Sequence, residues 1–162
     1  MKQLLLMRHG KSGWDLQVSD LDRCLTQRGV DDAYLVADEF SKQGIEFDFV
    51  YSSPANRAMH TAMIFCRVNN CDLNRFQLSD SLYDFSGEQL NQFIRCLDNS
   101  YDTVAIFGHN NAMSTIVSWL SEQGRVEIPT AGLSFLTAPV DKWEDFTSAQ
   151  LSCQLFPKQL KQ

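Results

Sequence analysis

The segment QLLLMRHGKSGWD, residues 3–15, places an apolar run directly before Arg8, His9 and Gly10. A short continuous apolar run of this kind predicts a buried β-strand, here over residues 4–7. A cation and an imidazole are poor continuations of such a strand, because burial penalises charged groups. We therefore expect Arg8 and His9 to lie where the first strand leaves a sheet.

A second segment shows the same change from apolar to polar residues. FDFVYSS, residues 47–53, predicts another strand. Ser53 followed by Pro54 predicts the start of a helix, with the serine as N-cap and the proline at the first helical position. Arg57 then falls in the first turn of that helix, just beyond the end of the strand.

Strands and helices alternate along the rest of the chain. Thr26 is the predicted N-cap of a helix whose apolar residues recur at helical spacing until Gly44. VAIFGHNN predicts a buried strand over residues 104–107, with His109 at the junction to the next helix. GLSFLTAP and AQLSCQLF are interpreted as closing strands, one or both of them antiparallel at an edge of the sheet.

This alternation predicts an α/β fold, a three-layer α/β/α sandwich with a mainly parallel sheet and an antiparallel edge. We interpret residues 1–162 as a single domain. Ligands of such sheets bind beyond the carboxyl ends of the strands. We therefore expect Arg8, His9, Arg57 and His109 to converge at one rim of the sheet.

The composition narrows the classes of protein to consider. The net charge of −6 argues against nucleic-acid or membrane partners, since both kinds of partner attract basic surfaces. No apolar run approaches the roughly 20 residues of a membrane span, and no signal-peptide pattern is present. The five cysteines are scattered and indicate neither a disulfide framework nor a zinc site. We expect a cytoplasmic protein.

The four polar residues at the predicted rim suit phosphoryl transfer. Arginine offers paired donors to the oxygens of a tetrahedral anion. A neutral imidazole can attack phosphorus and form a phosphohistidine, which water later hydrolyses. A second imidazole can donate a hydrogen bond to the anion. This chemistry requires neither a metal ion nor a cofactor, and we expect none.

RHG after the first strand, SSPANRAMHTA after the second and GHN after a later strand together resemble motifs of the histidine phosphatase superfamily, which has the phosphoglycerate mutase-like fold. RHGKSGWD, DLDRCLTQRGVDDA, SLYDFS and IPTAGLSFL further resemble the small SixA-type phosphohistidine phosphatases over nearly the whole chain. RHG alone would be a weak signal. Three motifs in the right order, each at the end of a strand, form a specific one.

The resemblance implies a role for each matching residue. His9 is the nucleophile, Arg8 and Arg57 bind the phosphate, and His109 completes the pocket. Two further phosphate contacts are hypotheses, the backbone amide of Asn110 and the side chain of Lys11.

The chain also departs from the family pattern in two places. Asp84, in LYD, stands where many members have a glutamate that acts as general acid, so the resemblance makes Asp84 the candidate acid, with a side chain one methylene shorter. Asp15 stands where many mutase-like members have an asparagine, and we expect it to face Arg8, Lys11 or Arg23. The three tryptophans are interpreted as packing residues.

The predicted function is that of a metal-independent phosphatase, a phosphohistidine phosphatase whose partner is a phosphorylated protein. Imidazole is a far better leaving group than an alkoxide, so a weak general acid at Asp84 fits a phosphohistidine substrate. Short connections between elements also predict a shallow rim. Two alternatives remain: a phosphatase or mutase-like enzyme for a small phosphomonoester, and a catalytically silent phosphate-binding module.

Overall fold

A computed structural model gives the structure of the chain and describes residues 1–161. Six strands form one sheet: β1 (Lys2–Arg8), β2 (Phe49–Ser52), β3 (Phe76–Leu78), β4 (Thr103–Gly108), β5 (Leu133–Ala138) and β6 (Gln150–Leu155). Five helices accompany them: α1 (Gln27–Ser41), α2 (Asn56–Asn69), α3 (Glu88–Arg95), α4 (Ala112–Ser121) and α5 (Pro157–Leu160). Short 3₁₀ turns cover Asp20–Asp22, Leu73–Arg75, Asp80–Leu82 and Trp143–Asp145.

The sheet has the strand order β3-β2-β4-β1-β5-β6. The first four strands of the chain run parallel, whereas β5 is antiparallel to β1 and β6 is antiparallel to β5. The predicted mainly parallel sheet with an antiparallel edge is therefore confirmed.

The central strand β1 is apolar because both of its faces are covered. Leu4 and Leu6 pack in a cluster with residues of α3 and α4, whereas Leu5 and Met7 pack with residues of α1 and α2. A strand buried on both faces has a continuous apolar sequence rather than an alternating one. The two clusters form the interfaces of the predicted three layers.

The register of β1 and β4 sets the position of the polar residues. Arg8 is paired with Gly108, and the backbone N–H of His9 donates to the Gly108 carbonyl at 3.0 Å. His9 and His109 consequently emerge side by side from neighbouring strands. β2 lies on the other side of β4, with Ser52 paired to Phe107, so Arg57 enters from the adjacent strand end.

The start of α2 differs from the prediction. Its N-cap is Ala55, and Ser53 and Pro54 both lie before the helix. The Ser53 hydroxyl accepts a hydrogen bond from the Ala55 N–H at 3.2 Å and lies 2.8 Å from His109 Nε2. Arg57 still falls in the first turn. The predicted cap of α1 is confirmed, since the Thr26 side chain accepts from the Gly29 N–H.

The first turn of α1 packs directly against the backbone that carries His9. A side chain on Gly29 would place its Cβ 2.1 Å from the Lys11 carbonyl oxygen, and one on Gly10 would approach the Gly29 oxygen to 2.6 Å. Only glycine permits this contact between two backbones. The contact holds the segment after β1 against α1.

Within residues 1–161, no helix combines the length and apolarity that a membrane span requires.

Candidate active site

The side chains of His9, Arg57 and His109 meet at the carboxyl ends of β1 and β4. The centroids of the two imidazole rings lie 5.3 Å apart. Arg57 Nε donates to His9 Nε2 over 3.3 Å, and Arg57 Nη2 lies 3.5 Å from His109 Nδ1. All three residues are buried. The structure thus brings together residues that three separate motifs supplied.

The hydrogen bonds of His9 determine which ring nitrogen can react. Nδ1 lies 2.7 Å from the Gly10 carbonyl oxygen. A carbonyl oxygen can only accept, so Nδ1 carries the proton and Nε2 holds a lone pair. Burial is the main cause that lowers the pKa of His9 to about 3, and the charges of Arg57 and Arg8 contribute to this lowering. The neutral ring at pH 7 therefore presents Nε2 as a possible nucleophile.

Arg8 precedes His9 and has one buried donor without a partner among residues 1–161. Its Nη1 donates to the Ile128 carbonyl at 2.9 Å. Its Nε is buried and has no hydrogen-bond partner among residues 1–161. Burial lowers the pKa of Arg8, but a guanidinium remains charged at neutral pH. Since buried donors rarely lack an acceptor, this N–H is suited to an oxygen of a bound anion.

Arg57 is held by a residue that the sequence analysis missed. Its Nη2 donates to Asp20 Oδ2 at 2.9 Å, and its Nη1 donates to the Asp20 carbonyl oxygen at 2.6 Å. The hydroxyl of Tyr83 also donates to Asp20 Oδ2, and Arg23 Nε donates to Oδ1 at 3.1 Å. The hydrogen bond from Tyr83 is the main cause that lowers the pKa of Asp20 to about 2, and Arg57 and Arg23 add to it.

His109 lies between Ser53 and two aromatic rings. Ser53 Oγ is 2.8 Å from Nε2, while the ring centroids of Tyr83 and Phe85 lie 5.3 Å and 4.9 Å from that of His109. Burial is the main cause that lowers the pKa of His109 to about 4, and the charge of Arg57 contributes to this lowering. His109 is therefore neutral at pH 7.

Asp84 makes contacts that do not suit a general acid. Its Oδ2 accepts from the backbone N–H groups of Gly87 and Leu90, at 3.1 Å and 3.0 Å, and its Oδ1 accepts from the N–H and hydroxyl of Ser86. These donors belong to the start of α3, where a carboxylate stabilises the helix. The geometry supports a structural role for Asp84.

Asp15 lines a surface cavity together with Arg23, one of the residues that we expected it to face. Asp15 is exposed and forms no ion pair among the described residues. Arg23, one of its expected partners, pairs with Asp20 instead. An acidic residue close in sequence to several basic ones can pair with any of them, and the turn at Asp20–Asp22 gives Asp20 the nearer position.

Lys11 lies two residues after His9 in the chain, and Asn110 directly follows His109. The Lys11 residue is exposed. The side-chain oxygen of Asn110 accepts from the N–H and hydroxyl of Ser114, at 2.9 Å and 2.7 Å. Phosphate contacts from the Lys11 side chain and the Asn110 backbone stay predictions.

The tryptophans occupy three different environments. Trp143 is fully buried, as expected. Trp119 is about half exposed, and Trp14 is 77% exposed with the guanidinium of Arg23 3.6 Å from its ring centroid. The packing interpretation was therefore wrong for Trp14, because a cation stacked on one face can hold a ring that the core does not cover.

The arrangement is suited to a tetrahedral anion. It combines two guanidinium groups, one unpartnered buried donor and a neutral imidazole with its lone pair directed at Arg57. Fixed positive charge and one attacking group are the main requirements of phosphoryl transfer. Among residues 1–161, no group of three or more His, Cys, Asp or Glu side chains could hold a metal ion.

Residues 4–86, more than half of the chain, match the family model of the histidine phosphatase superfamily, branch 1. The chain belongs to this superfamily. Among solved structures, it is similar to the protein histidine phosphatase SixA complexed with tungstate, with a TM-score of 0.84, 23% identity, and 98% of this chain and 99% of that chain covered.

Two other proteins are similar to most of the chain. A phosphoserine phosphatase from Entamoeba histolytica, solved with 3-phosphoglyceric acid, has a TM-score of 0.67 at 18% identity and covers 99% of this chain and 100% of that chain. An uncharacterized chloroplastic protein of Arabidopsis thaliana is 28% identical over 89% of this chain and 70% of its own length.

A 2,3-bisphosphoglycerate-dependent phosphoglycerate mutase of Lactiplantibacillus plantarum is 34% identical over 38% of this chain. The aligned stretch spans only 28% of that mutase. The similarity to solved structures establishes the phosphoglycerate mutase-like fold, and membership of the histidine phosphatase superfamily rests on the family match. Neither similarity identifies the substrate, which has to be inferred from the geometry of the site.

Proposed function

We propose that this member of the histidine phosphatase superfamily is a phosphohistidine phosphatase that works through a phosphorylated His9. One observation carries the proposal: the hydrogen bond of His9 Nδ1 to the Gly10 carbonyl leaves the Nε2 lone pair beside Arg57. Nε2 attacks phosphorus while the bond from phosphorus to the leaving group breaks. Water then attacks the phosphohistidine, releases inorganic phosphate and restores the neutral ring.

The two guanidinium groups stabilise the charge of the phosphoryl group during both steps. Arg57 adjoins the nucleophile, and the unpartnered Nε of Arg8 provides a donor for a phosphoryl oxygen. Donors that are held in place before the reaction stabilise developing charge without having to reorganise. His109, whose Nδ1 lies 3.5 Å from Arg57 Nη2, supplies a further contact to the phosphoryl group.

Neither Asp20 nor Asp84 is suited to act as a general acid, which supports a substrate with a good leaving group. Asp20 has a pKa of about 2 and is ionised at pH 7, so it cannot donate a proton. Asp84 is engaged by the start of α3. An alkoxide must be protonated as it departs, whereas an imidazole, with a pKa of about 6.5, leaves more readily and can take its proton from water.

Exposed aromatic residues beside the site support a substrate carried by another protein. Phe85 contacts the His109 ring and is 44% exposed, and Trp14 extends into solvent above Arg23. Exposed aromatic residues are common anchors in protein interfaces. Similarity to SixA, described as a protein histidine phosphatase, supports the same substrate class.

The first experiment tests the covalent step. The enzyme is incubated with phosphoramidate labelled with radioactive phosphorus, quenched in alkali and examined for protein-bound label. We expect label on the wild type and on the His60→Ala variant, because His60 is exposed on α2. We expect none on His9→Ala, together with loss of turnover. Unchanged turnover by His9→Ala would contradict the proposal.

The second experiment tests the substrate. A phosphohistidine-bearing protein and a panel of sugar phosphates and phosphoglycerates are compared by kcat/KM. We expect the phosphohistidine protein to be preferred. A clear preference for a small phosphomonoester would favour the metabolite enzyme instead, and tight phosphate binding without any turnover would favour a silent binding module.

A further inference from the structure

Ser53 and His109 form a buried contact beside the proposed phosphate site. Ser53 Oγ lies 2.8 Å from His109 Nε2, and both residues are almost completely buried. The other ring nitrogen of His109, Nδ1, faces Arg57. The hydrogen bond at Nε2 therefore decides which nitrogen of His109 carries a proton toward the site.

The hydrogen bonds of the Ser53 hydroxyl can be counted. Oγ already accepts one bond from the Ala55 N–H at 3.2 Å. Within residues 1–161, His109 Nε2 is the one atom in contact with Oγ that can accept its hydrogen. If Ser53 accepted from Nε2 instead, its own buried hydrogen would have no acceptor, which folded proteins rarely tolerate.

We propose that Ser53 is a positioning residue that donates to His109 Nε2 and thereby keeps the His109 proton on Nδ1, directed at the phosphoryl group. This proposal rests on the proposed function, in which His109 contacts that group. The sequence motif assigned Ser53 to a helix cap, and the structure gives its side chain this second contact.

The contact between His109 and Arg57 would on its own give the other tautomer, in which Nδ1 accepts from Arg57 Nη2, but it is the longer of the two contacts of the ring. Arg57 can only donate, so a protonated Nδ1 and Arg57 Nη2 cannot bond each other. Their separation of 3.5 Å is longer than an ordinary hydrogen bond. Two N–H donors this close can both bond one oxygen atom placed between them. Ser53 thus prepares His109 and Arg57 to share an oxygen of the anion.

The direct test is the protonation pattern of the His109 ring in the wild type. The enzyme is labelled with ¹⁵N-histidine, and ring nitrogen shifts are measured at pH 7 in the absence of phosphate. The chain has three histidines, so the His109→Asn variant identifies the His109 signals. We expect Nδ1 to be protonated and Nε2 to be unprotonated. A wild-type His109 protonated at Nε2 would overturn the proposal.

A pair of variants separates positioning from simple packing. Ser53→Ala removes the donor, and we expect His109 to shift toward protonation at Nε2. Ser52→Ala is the matched control, because Ser52 is equally buried and its hydroxyl donates to the backbone oxygen of Ser53. We expect Ser52→Ala to leave the His109 signals unchanged. Retention of the Nδ1 proton in Ser53→Ala would contradict the proposed role.

Binding of inorganic phosphate provides a second measurement. Loss of one well-placed donor typically weakens stabilisation of an oxyanion by a factor of ten or more. We expect Ser53→Ala to bind phosphate about tenfold more weakly than Ser52→Ala. Equal phosphate affinities of the two variants would count against Ser53. Neither measurement requires a phosphohistidine substrate. A failure of the proposed function would therefore be seen separately, in the kcat/KM comparison.

Discussion

The guanidinium of Arg57 is paired with the carboxylate of Asp20, with Nη2 and Oδ2 2.9 Å apart. Arg57 is almost completely buried, whereas the Asp20 side chain is 39% exposed. The pair holds the guanidinium in place. It also puts a negative charge next to the position of an incoming phosphate.

Replacing this charge is therefore expected to favour anions. Asp20→Asn keeps the shape of the side chain and the backbone oxygen that accepts from Arg57 Nη1. A partly exposed charge contributes about 0.5–1 kcal/mol, so we expect inorganic phosphate to bind about two- to fivefold more tightly. Asp22→Asn is the control, because Asp22 accepts from Ser19 in the same turn and pairs with no arginine. Weaker phosphate binding by Asp20→Asn would show that Asp20 mainly orients Arg57.

The pKa values of the two buried histidines predict how stability depends on pH. Both pKa values, about 3 for His9 and about 4 for His109, lie below the 6.5 of an unfolded chain. As the pH falls below 6.5, the unfolded chain takes up protons that the folded chain does not, so folding becomes less favourable. We expect each histidine to cost about 2 kcal/mol between pH 7 and pH 5.

Urea unfolding of the wild type, His9→Gln and His60→Gln at the two pH values checks this expectation. The loss of unfolding free energy between pH 7 and pH 5 should be smaller in His9→Gln. His60→Gln should behave as the wild type, because His60 is exposed. The same loss in all three proteins would show that His9 is not held neutral by its surroundings.

The backbone contact between α1 and the segment after β1 predicts a disruptive substitution at Gly29. In Gly29→Ala, the new methyl group would lie 2.1 Å from the Lys11 oxygen, and the segment carrying His9 must move. We expect a loss of about 1–3 kcal/mol in unfolding free energy together with a large loss of kcat/KM.

Gly44→Ala is the matched control for this substitution. Gly44 has open space around it and a φ of +64°, so an alanine there costs about 1–2 kcal/mol through backbone strain alone. It should leave kcat/KM unchanged, because Gly44 lies beyond the end of α1. Full activity of Gly29→Ala would mean that the close contact does not position His9.

The contacts of Asp84 predict an effect on stability rather than on chemistry. Asp84→Ala removes the acceptor for the Gly87 and Leu90 N–H groups, and we expect a loss of about 1–2 kcal/mol in unfolding free energy. The kcat for a phosphoramidate should stay within about twofold of the wild type where the variant is folded. A large fall in kcat without loss of stability would restore Asp84 as the acid.

The sequence was sufficient to predict the strands and the places where they end. Apolar runs buried on both faces of the sheet are easily recognised, and polar residues directly after them mark its rim. Arg8, His9, Arg57 and His109 were found in this way.

The supporting residues of the site could not be found in the same way. Asp20 reaches Arg57 through a turn between β1 and α1, and its pairing depends on how that loop folds back over the sheet. Tyr83 meets Asp20 from another loop, and Ser53 has the appearance of an ordinary helix cap in the sequence. Such contacts join loops of low regularity, for which hydrophobic periodicity gives no signal.

Because β1 and β4 are adjacent strands, activity depends on whether the central sheet has formed. Their pairing connects the beginning of the chain to residues 103–108, and it is what sets His9 beside His109. In a partly folded form without this pairing, His9 and His109 are not held next to each other. Recovery of turnover after dilution from urea should therefore follow the pairing of β1 with β4 rather than the recovery of helical structure.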